Sequence, residues 1–234
     1  MDRRSFIKAT ALTAGSIAFM PFETLAERTT ELPFRISLAE WSLHRNLQSG
    51  KINNLDFAKI ARREFGIDAV EYVDQFFADK SKDAAYLKDL KSRADGEGVY
   101  SHLIMVDTNG PLGAADKTAR DAAVEKTKPW IDAAKFLGCR LVRVNAYGDG
   151  NADELRARVA ESCATLADYA KERELSLAIE NHGKLSSDPE WLTSLIHAVN
   201  KENFGTLPDF GNFPEETNRY DAVEALMPLA NAVS

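Results

Sequence analysis

The sequence predicts an α/β chain, an incomplete (β/α)8 TIM barrel, and three observations predict it. Six short apolar, strand-like runs alternate with amphipathic helical runs. The strands begin at residues 34, 69, 100, 139, 175 and 204, a spacing of roughly 30 to 40 residues that is the length of one β/α unit. Polar or charged residues recur where most strands end: Glu71, Asp107, Asn145, Glu180 with His182, and Asp209 with Asn212. A parallel barrel gathers such ends into one mouth. A doubly wound open sheet would instead show a glycine-rich phosphate turn after an early strand. Here the first strand runs into Trp41-Ser42-Leu43-His44.

Residues 34–43 (FRISLAEWSL) read as the first strand and 55–65 as its helix. Residues 69–74 form the second strand, with a helix from about 82 to 97; residues 100–107 form the third, with a helix over 116–137. The fourth strand is 139–146 (CRLVRVNA), followed by a helix over 152–173. The fifth is 175–182 (LSLAIENH), and its helix opens at Asp188-Pro189, an acidic N-cap with proline in the first turn. The sixth strand is 204–210 and its helix 217–229. Each strand is rich in Val, Ile, Leu and Phe, as strands covered on both faces should be. Gly66, Gly98 and Gly138 stand where helix C-caps are needed. No composition break follows residue 26, so residues 27–234 read as one domain. A complete barrel needs eight strands and about 250 residues. Six units are visible, and Ala230 to Ser234 fall where a seventh strand would start. The expectation is a chain cut short of strands seven and eight.

The first 26 residues read as a targeting segment. Arg3-Arg4, then Ser5-Phe6-Ile7-Lys8 and an apolar stretch to Met20, resemble a twin-arginine export signal. The apolar run is too short and too rich in Ala, Thr and Gly for a stable membrane span. Thr24-Leu25-Ala26 offers a cleavage site, and the expected location is the periplasm. The 234 residues carry a net charge of −7, with no clustered basic face, so no nucleic-acid partner is expected. Cys139 and Cys163 read as two separate buried thiols rather than a disulfide framework. The expected partner is a small carbohydrate, and a homo-oligomer is compatible with the chain.

Two motifs carry the chemistry. In Leu177-Ala178-Ile179-Glu180-Asn181-His182-Gly183, strand alternation puts Ala178, Glu180 and His182 on one face. A carboxylate ending an apolar strand is costly unless paired, hydrogen-bonded or bound to metal, and a barrel arginine such as Arg143 is its alternative partner. In Leu207-Pro208-Asp209-Phe210-Gly211-Asn212, Asp209 ends the neighbouring strand. Two oxygen ligands at one mouth make half of a hard divalent-metal site; a turn or N-cap aspartate is the alternative. Asn145, Trp41 and His44 are candidate substrate contacts. His102 and His197 read as structural or exposed.

On the SLAEWSLH, AVEYV, AIENHG and PDFGNFP segments, the chain resembles the sugar phosphate isomerase/epimerase family with the xylose-isomerase-like barrel, over roughly residues 34–230. The resemblance implies a divalent metal (Mn, Mg, Co or Zn) held by a Glu on strand five and an Asp on strand six, here Glu180 and Asp209. A His and a Glu further on would complete the site, beyond Ser234. Many members carry a substrate-contacting His three residues after the strand-six Asp; here that position is Asn212, which keeps hydrogen bonding but cannot titrate, and Glu71 resembles a substrate-binding carboxylate of the family, with a plain ion pair as its alternative. The implied activity is metal-dependent isomerisation or epimerisation of a small keto-sugar through an enediolate. Glu180 would be ligand and acid/base group, and His182 a substrate-orienting or proton-shuttling group. The alternatives are a dehydratase or lyase on a keto-sugar or inositol derivative, and a non-catalytic sugar-binding barrel. A chain lacking half the ligands is expected to be inactive.

Overall fold

The computed structural model describes residues 34–234, so the expected signal over 1–26 lies outside the described residues. The chain divides into Met1–Arg35 and Ile36–Ser234, and the sheet belongs to the second unit. Its strands are β1 (Leu38–Ala39), β2 (Ala69–Val73), β3 (Tyr100–Met105), β4 (Leu141–Val144), β5 (Ser176–Glu180) and β6 (Phe204–Leu207). They form one six-stranded sheet in the order of the sequence, and every pair is parallel. Unbroken sequential order gives no point at which the winding reverses, which is the signature of a barrel wall rather than a doubly wound sheet.

The helices are α1 (His44–Gln48), α2 (Phe57–Phe65), α3 (Ala84–Gly96), α4 (Lys117–Leu137), α5 (Ala152–Lys171), α6 (Pro189–Val199) and α7 (Arg219–Leu226). Their starts follow from side chains that satisfy free backbone N–H groups. Asp83, Asp116, Asp188 and Asn218 each cap the helix that comes after them, and Asn151 with Glu154 closes a capping box on α5. Pro189 opens α6 as the sequence predicts. Gly66 and Gly138 end α2 and α4 with left-handed φ of 69° and 86°.

Alternation along the strands sorts side chains into two layers. Val70, Tyr72, Ile104, Val142, Val144, Leu177 and Ile179 face outwards and join the helices in the main core. Val73, Leu103, Met105, Leu141, Ala178 and Leu207 face inwards as a second cluster that fills the barrel. Residues beyond α7 run alongside β6: Thr206 and Ala230 form a parallel bridge, and Ser234 N donates to Pro208 O at 2.8 Å.

Two expectations are corrected. The first strand is only two residues long, because Glu40–Leu43 turns into a 3-10 helix. Glu40 is drawn inwards, where its carboxylate accepts the Val73 N–H at 2.7 Å and the Asn54 amide. The fifth strand stops at Glu180, and the Asn181 side chain continues the ladder in place of backbone. Both cysteines are free and buried. Among the described residues no helix is long and apolar enough to cross a membrane.

Candidate active site at the barrel mouth

A cavity of about 610 Å³ opens at the C-terminal ends of the strands. Glu180, His182, Asp209, Asn212, Asn145 and Trp41 all line it, as do Asp107, Arg143, Gln75 and Tyr147. Six of the eight predicted site residues therefore meet in one place.

Glu180 is in register with Leu207 at the last rung between β5 and β6. Beyond it, Asn181 donates to Asp209 O at 3.0 Å and accepts from Asp209 N at 2.7 Å. That reciprocal pair brings the two acidic residues to one rim. Asp209 Oδ1 accepts from the backbone N–H of Gly211 at 2.6 Å and of Asn212 at 2.9 Å, so Asp209 is a turn aspartate as well as a cavity residue. Among the described residues both bonds fall on the one oxygen, Oδ1. Glu180 Oε1 accepts from Asn212 Nδ2 at 3.1 Å. Glu180 Oε2 lies 2.7 Å from Arg143 Nε, an ion-pair distance, yet the N–H is not aligned with it and neither buried atom has a hydrogen bond.

Arg143 and Glu180 are 4% and 5% exposed at the side chain, so their charges interact in a poorly screened setting. Burial pushes the Glu180 carboxyl above its ordinary range; Arg143 and His182 pull it back, and Asp209 and Asp107 push it up again. Asp107 shows the opposite balance. Burial would raise it, but the Arg143 charge and hydrogen bonds from Arg143, Asn145 and Gln75 hold it below the usual carboxylate range. Asn145 and Gln75 donate to its two oxygens at 2.8 Å and 3.1 Å.

The remaining predicted residues land elsewhere or differently. Glu71 lies in the middle of β2, not at its end. Val73, two residues on and on the same face, reaches the cavity, so Glu71 sits one layer deeper and accepts from Ser37 Oγ at 2.6 Å. Burial raises its pKa, the Ser37 bond and Arg143 lower it, and Glu180 raises it. His44 also lies outside the cavity: it heads α1, stacks on Trp41 with ring centroids 4.7 Å apart, and its Nδ1 contacts Trp41 O at 2.6 Å. His182 lies past the strand end, so it sits exposed at the rim rather than inside; its Nδ1 contacts the Tyr147 hydroxyl. Its loop is tied by Ser186 and Ser187 to the N–H groups of His182 and Gly183 at 2.9 Å and 2.8 Å.

The pairing of Glu180 with Arg143, which the sequence offers as the alternative to a metal, is present; the sequence names Asp107 only as a strand-end residue and gives no signal for Tyr147 and Gln75. Tyr147 lies in a loop and Gln75 in the 3-10 turn Asp74–Phe76 after β2, where no strand periodicity reports on direction.

The donor set bears on the metal that the family resemblance implies. Among the described residues no three His, Cys, Asp or Glu side chains converge as a ligand group. Two carboxylates at one rim nevertheless fit a hard cation, since magnesium is commonly held by one or two carboxylates with water and substrate oxygens completing the shell; on the Glu180 side the cation would share the carboxylate with Arg143 and Asn212.

The model of the xylose isomerase-like TIM barrel family matches residues 57–231. The chain belongs to that family. Among solved structures it is similar to D-psicose 3-epimerase crystallised in the presence of D-fructose, with 16% identity, a TM-score of 0.68, and 86% of this chain and 72% of that chain covered. It is also similar to AsbF from Bacillus anthracis, described as a probable 3-DHS dehydratase, with 15% identity, a TM-score of 0.66 and coverages of 86% and 72%. A xylose isomerase-like barrel protein from Mycobacterium smegmatis in complex with magnesium matches with 17% identity, a TM-score of 0.62 and coverages of 78% and 66%. At these identities the likeness establishes the fold. The search of curated proteins finds no similar sequence.

Proposed function

We propose that this protein is an isomerase or epimerase of a small keto-sugar, with Glu180 as the acid/base group and Glu180 and Asp209 as holders of a divalent cation. The observation that carries the reading is the pair of acidic side chains from β5 and the end of β6 lining one cavity; among the described residues the hydrogen bonds to the Asp209 carboxylate fall on Oδ1, and Glu180 Oε2 makes none, facing Arg143 Nε at 2.7 Å. Similarity to a sugar epimerase and to a magnesium-bound barrel supports it.

When bound, the cation would polarise the substrate carbonyl as a Lewis acid. The chain supplies the rest. Glu180 removes the proton from the carbon next to the carbonyl, and the resulting enediolate is reprotonated on the other carbon or the other face. Asn212 orients the Glu180 carboxylate through Oε1. Asp107 is anchored by Arg143 and in turn orients the Asn145 and Gln75 amides; because a carboxylate only accepts, both amides must present their NH2 groups to it. His182 and Tyr147 offer polar groups at the rim.

The test is Glu180→Gln in the full-length protein. Turnover of a ketohexose should fall by about 10²–10⁴-fold while the thermal melt stays cooperative. Retained turnover removes Glu180 from the mechanism. The likeness to a dehydratase supports a second outcome from the same enediolate, expulsion of a β-hydroxyl as water. Absorbance of an enone product separates the two.

Export to the periplasm is proposed on Arg3-Arg4 and the apolar stretch behind them. Replacing both arginines with lysine should leave the protein in the cytoplasmic fraction; an unchanged distribution removes the twin-arginine assignment.

A further inference from the structure

Beside the mouth lies a second cavity of about 630 Å³. Its lining comes from the loops after β1 and β2, with Gln48 and Asn53 on one side and Phe76, Asp79 and Lys80 on the other. Those loops leave the C-terminal ends of their strands, so both cavities open on the same face of the barrel. Gln75 lines both. The boundary is aromatic: Trp41 lines the mouth, Phe76 lines the second cavity, and their ring centroids are 6.2 Å apart. Trp41 stacks against His44 and is still 47% exposed, so part of its aromatic surface stays open at the boundary between the two spaces.

The wall of the second cavity is built from the core outwards. Tyr86, at its edge, donates its hydroxyl to Asn54 Oδ1 at 2.6 Å. Asn54 donates to Glu40, and Glu40 accepts the Val73 N–H. The cavity is therefore braced against β2 and set before any ligand arrives, which lowers the ordering cost of binding. Its chemistry is amides, an aromatic face, and one charge of each sign in Asp79 and Lys80, with Lys80 also 3.1 Å from Asp83. Such a lining does not select an anion. It suits a neutral polyhydroxylated ring, whose hydroxyls meet the amides and whose C–H face meets the negative face of an aromatic ring. Each cavity by itself is of ligand size.

We propose that this second cavity is an outer saccharide subsite, so that the substrate is a neutral glycosyl-ketose: the ketose unit, open to its keto form for reaction, occupies the mouth and the attached sugar crosses Trp41 into the space beyond Gln75. The proposal rests on the sugar reading of the mouth. It is tested by calorimetric titration of the full chain, in buffer with Mn2+, against ketohexoses (D-fructose, D-psicose, D-tagatose) and glucosyl-ketoses (isomaltulose, turanose). The expected result is that a glucosyl-ketose binds at least about ten-fold more tightly than any free ketohexose. Gln48→Trp, which fills the outer space without reaching the mouth, should remove that advantage and leave ketohexose affinity unchanged; Asp79→Ala should reduce it in the same selective way. Equal affinity for the two groups, or variants that weaken both equally, overturns the outer subsite and leaves the mouth reading standing. Absence of binding by every sugar overturns the mouth reading and the subsite with it.

Discussion

Arg143 is the side chain on which the local electrostatics turn. It stands between Asp107 and Glu180, and its removal would leave two largely buried carboxylates without a cation. Arg143→Met should therefore cost about 3–5 kcal/mol at neutral pH, read by denaturant unfolding. Because Arg143 holds the Asp107 carboxyl below its ordinary pKa, that contribution is present above the unfolded-state pKa and is lost as pH falls through the folded one. The gap between wild type and variant should narrow in acid; a gap independent of pH would show that Arg143 acts by packing alone. Glu40 runs the other way. Burial pushes its carboxyl up to about 8, against hydrogen bonds from Val73 and Asn54. A folded pKa above the unfolded value of 4.5 means the native state gains relative stability below about 4.5 and loses it as pH rises to about 8. Glu40→Gln should remove that decline, so its melting temperature relative to wild type should climb from pH 5 to pH 9. A constant difference would place the Glu40 titration outside this range.

Where two elements meet, single polar groups replace backbone. Asn181 stands in for the rung that β5 and β6 lack beyond Glu180 and Leu207, and both of its bonds go to Asp209 backbone atoms. Asn181→Ala should cost about 1–3 kcal/mol, the penalty of leaving buried partners unmet, and should weaken divalent-metal binding, because Asp209 is then no longer fixed beside Glu180. Unchanged metal affinity would show that the turn through Gly211 and Asn212 suffices to hold it. The loops after β3 and β4 touch so closely that a Cβ on Gly148 would stand 2.2 Å from Gly113 C. Much of this layer was legible in the sequence. The Asp188-Pro189 start, the glycine ends and the alternation that faces Ala178 and Glu180 inwards are all local, short-range signals. What periodicity could not show is where a strand stops. Pro208 has no N–H to extend β6, and Asn181 ends β5 by competing for the partner strand, so His182 lies at the rim rather than inside. Glu71 was misplaced by the same uncertainty, one layer too high.

At the scale of the whole molecule, a chain of net charge −7 winds its strands in sequential order and so delivers Asp107, Glu180 and Asp209 to one cavity against a single arginine. Sequence order alone made that convergence readable, since a parallel barrel sends every strand's C-terminal end to the same side. The Arg143–Glu180 pair is one the sequence already offers, whereas the Arg143–Asp107 contact follows only from tertiary structure, because Asp107 lies in the loop after β3. A cavity with this excess of carboxylate attracts cations, and a cation held by the folded state alone stabilises it by mass action. At a hundred times its dissociation constant the gain is about 2.7 kcal/mol, which for a domain of this size raises the melting temperature by roughly 5–10 °C. Saturating Mn2+ or Mg2+ should therefore shift the melt of the wild type upwards, a chelator should reverse the shift, and Glu180→Gln and Asp209→Asn should each abolish most of it. A rise of equal size in both variants would locate the cation elsewhere on the acidic surface, and no rise in the wild type would leave the two carboxylates to act on the sugar directly.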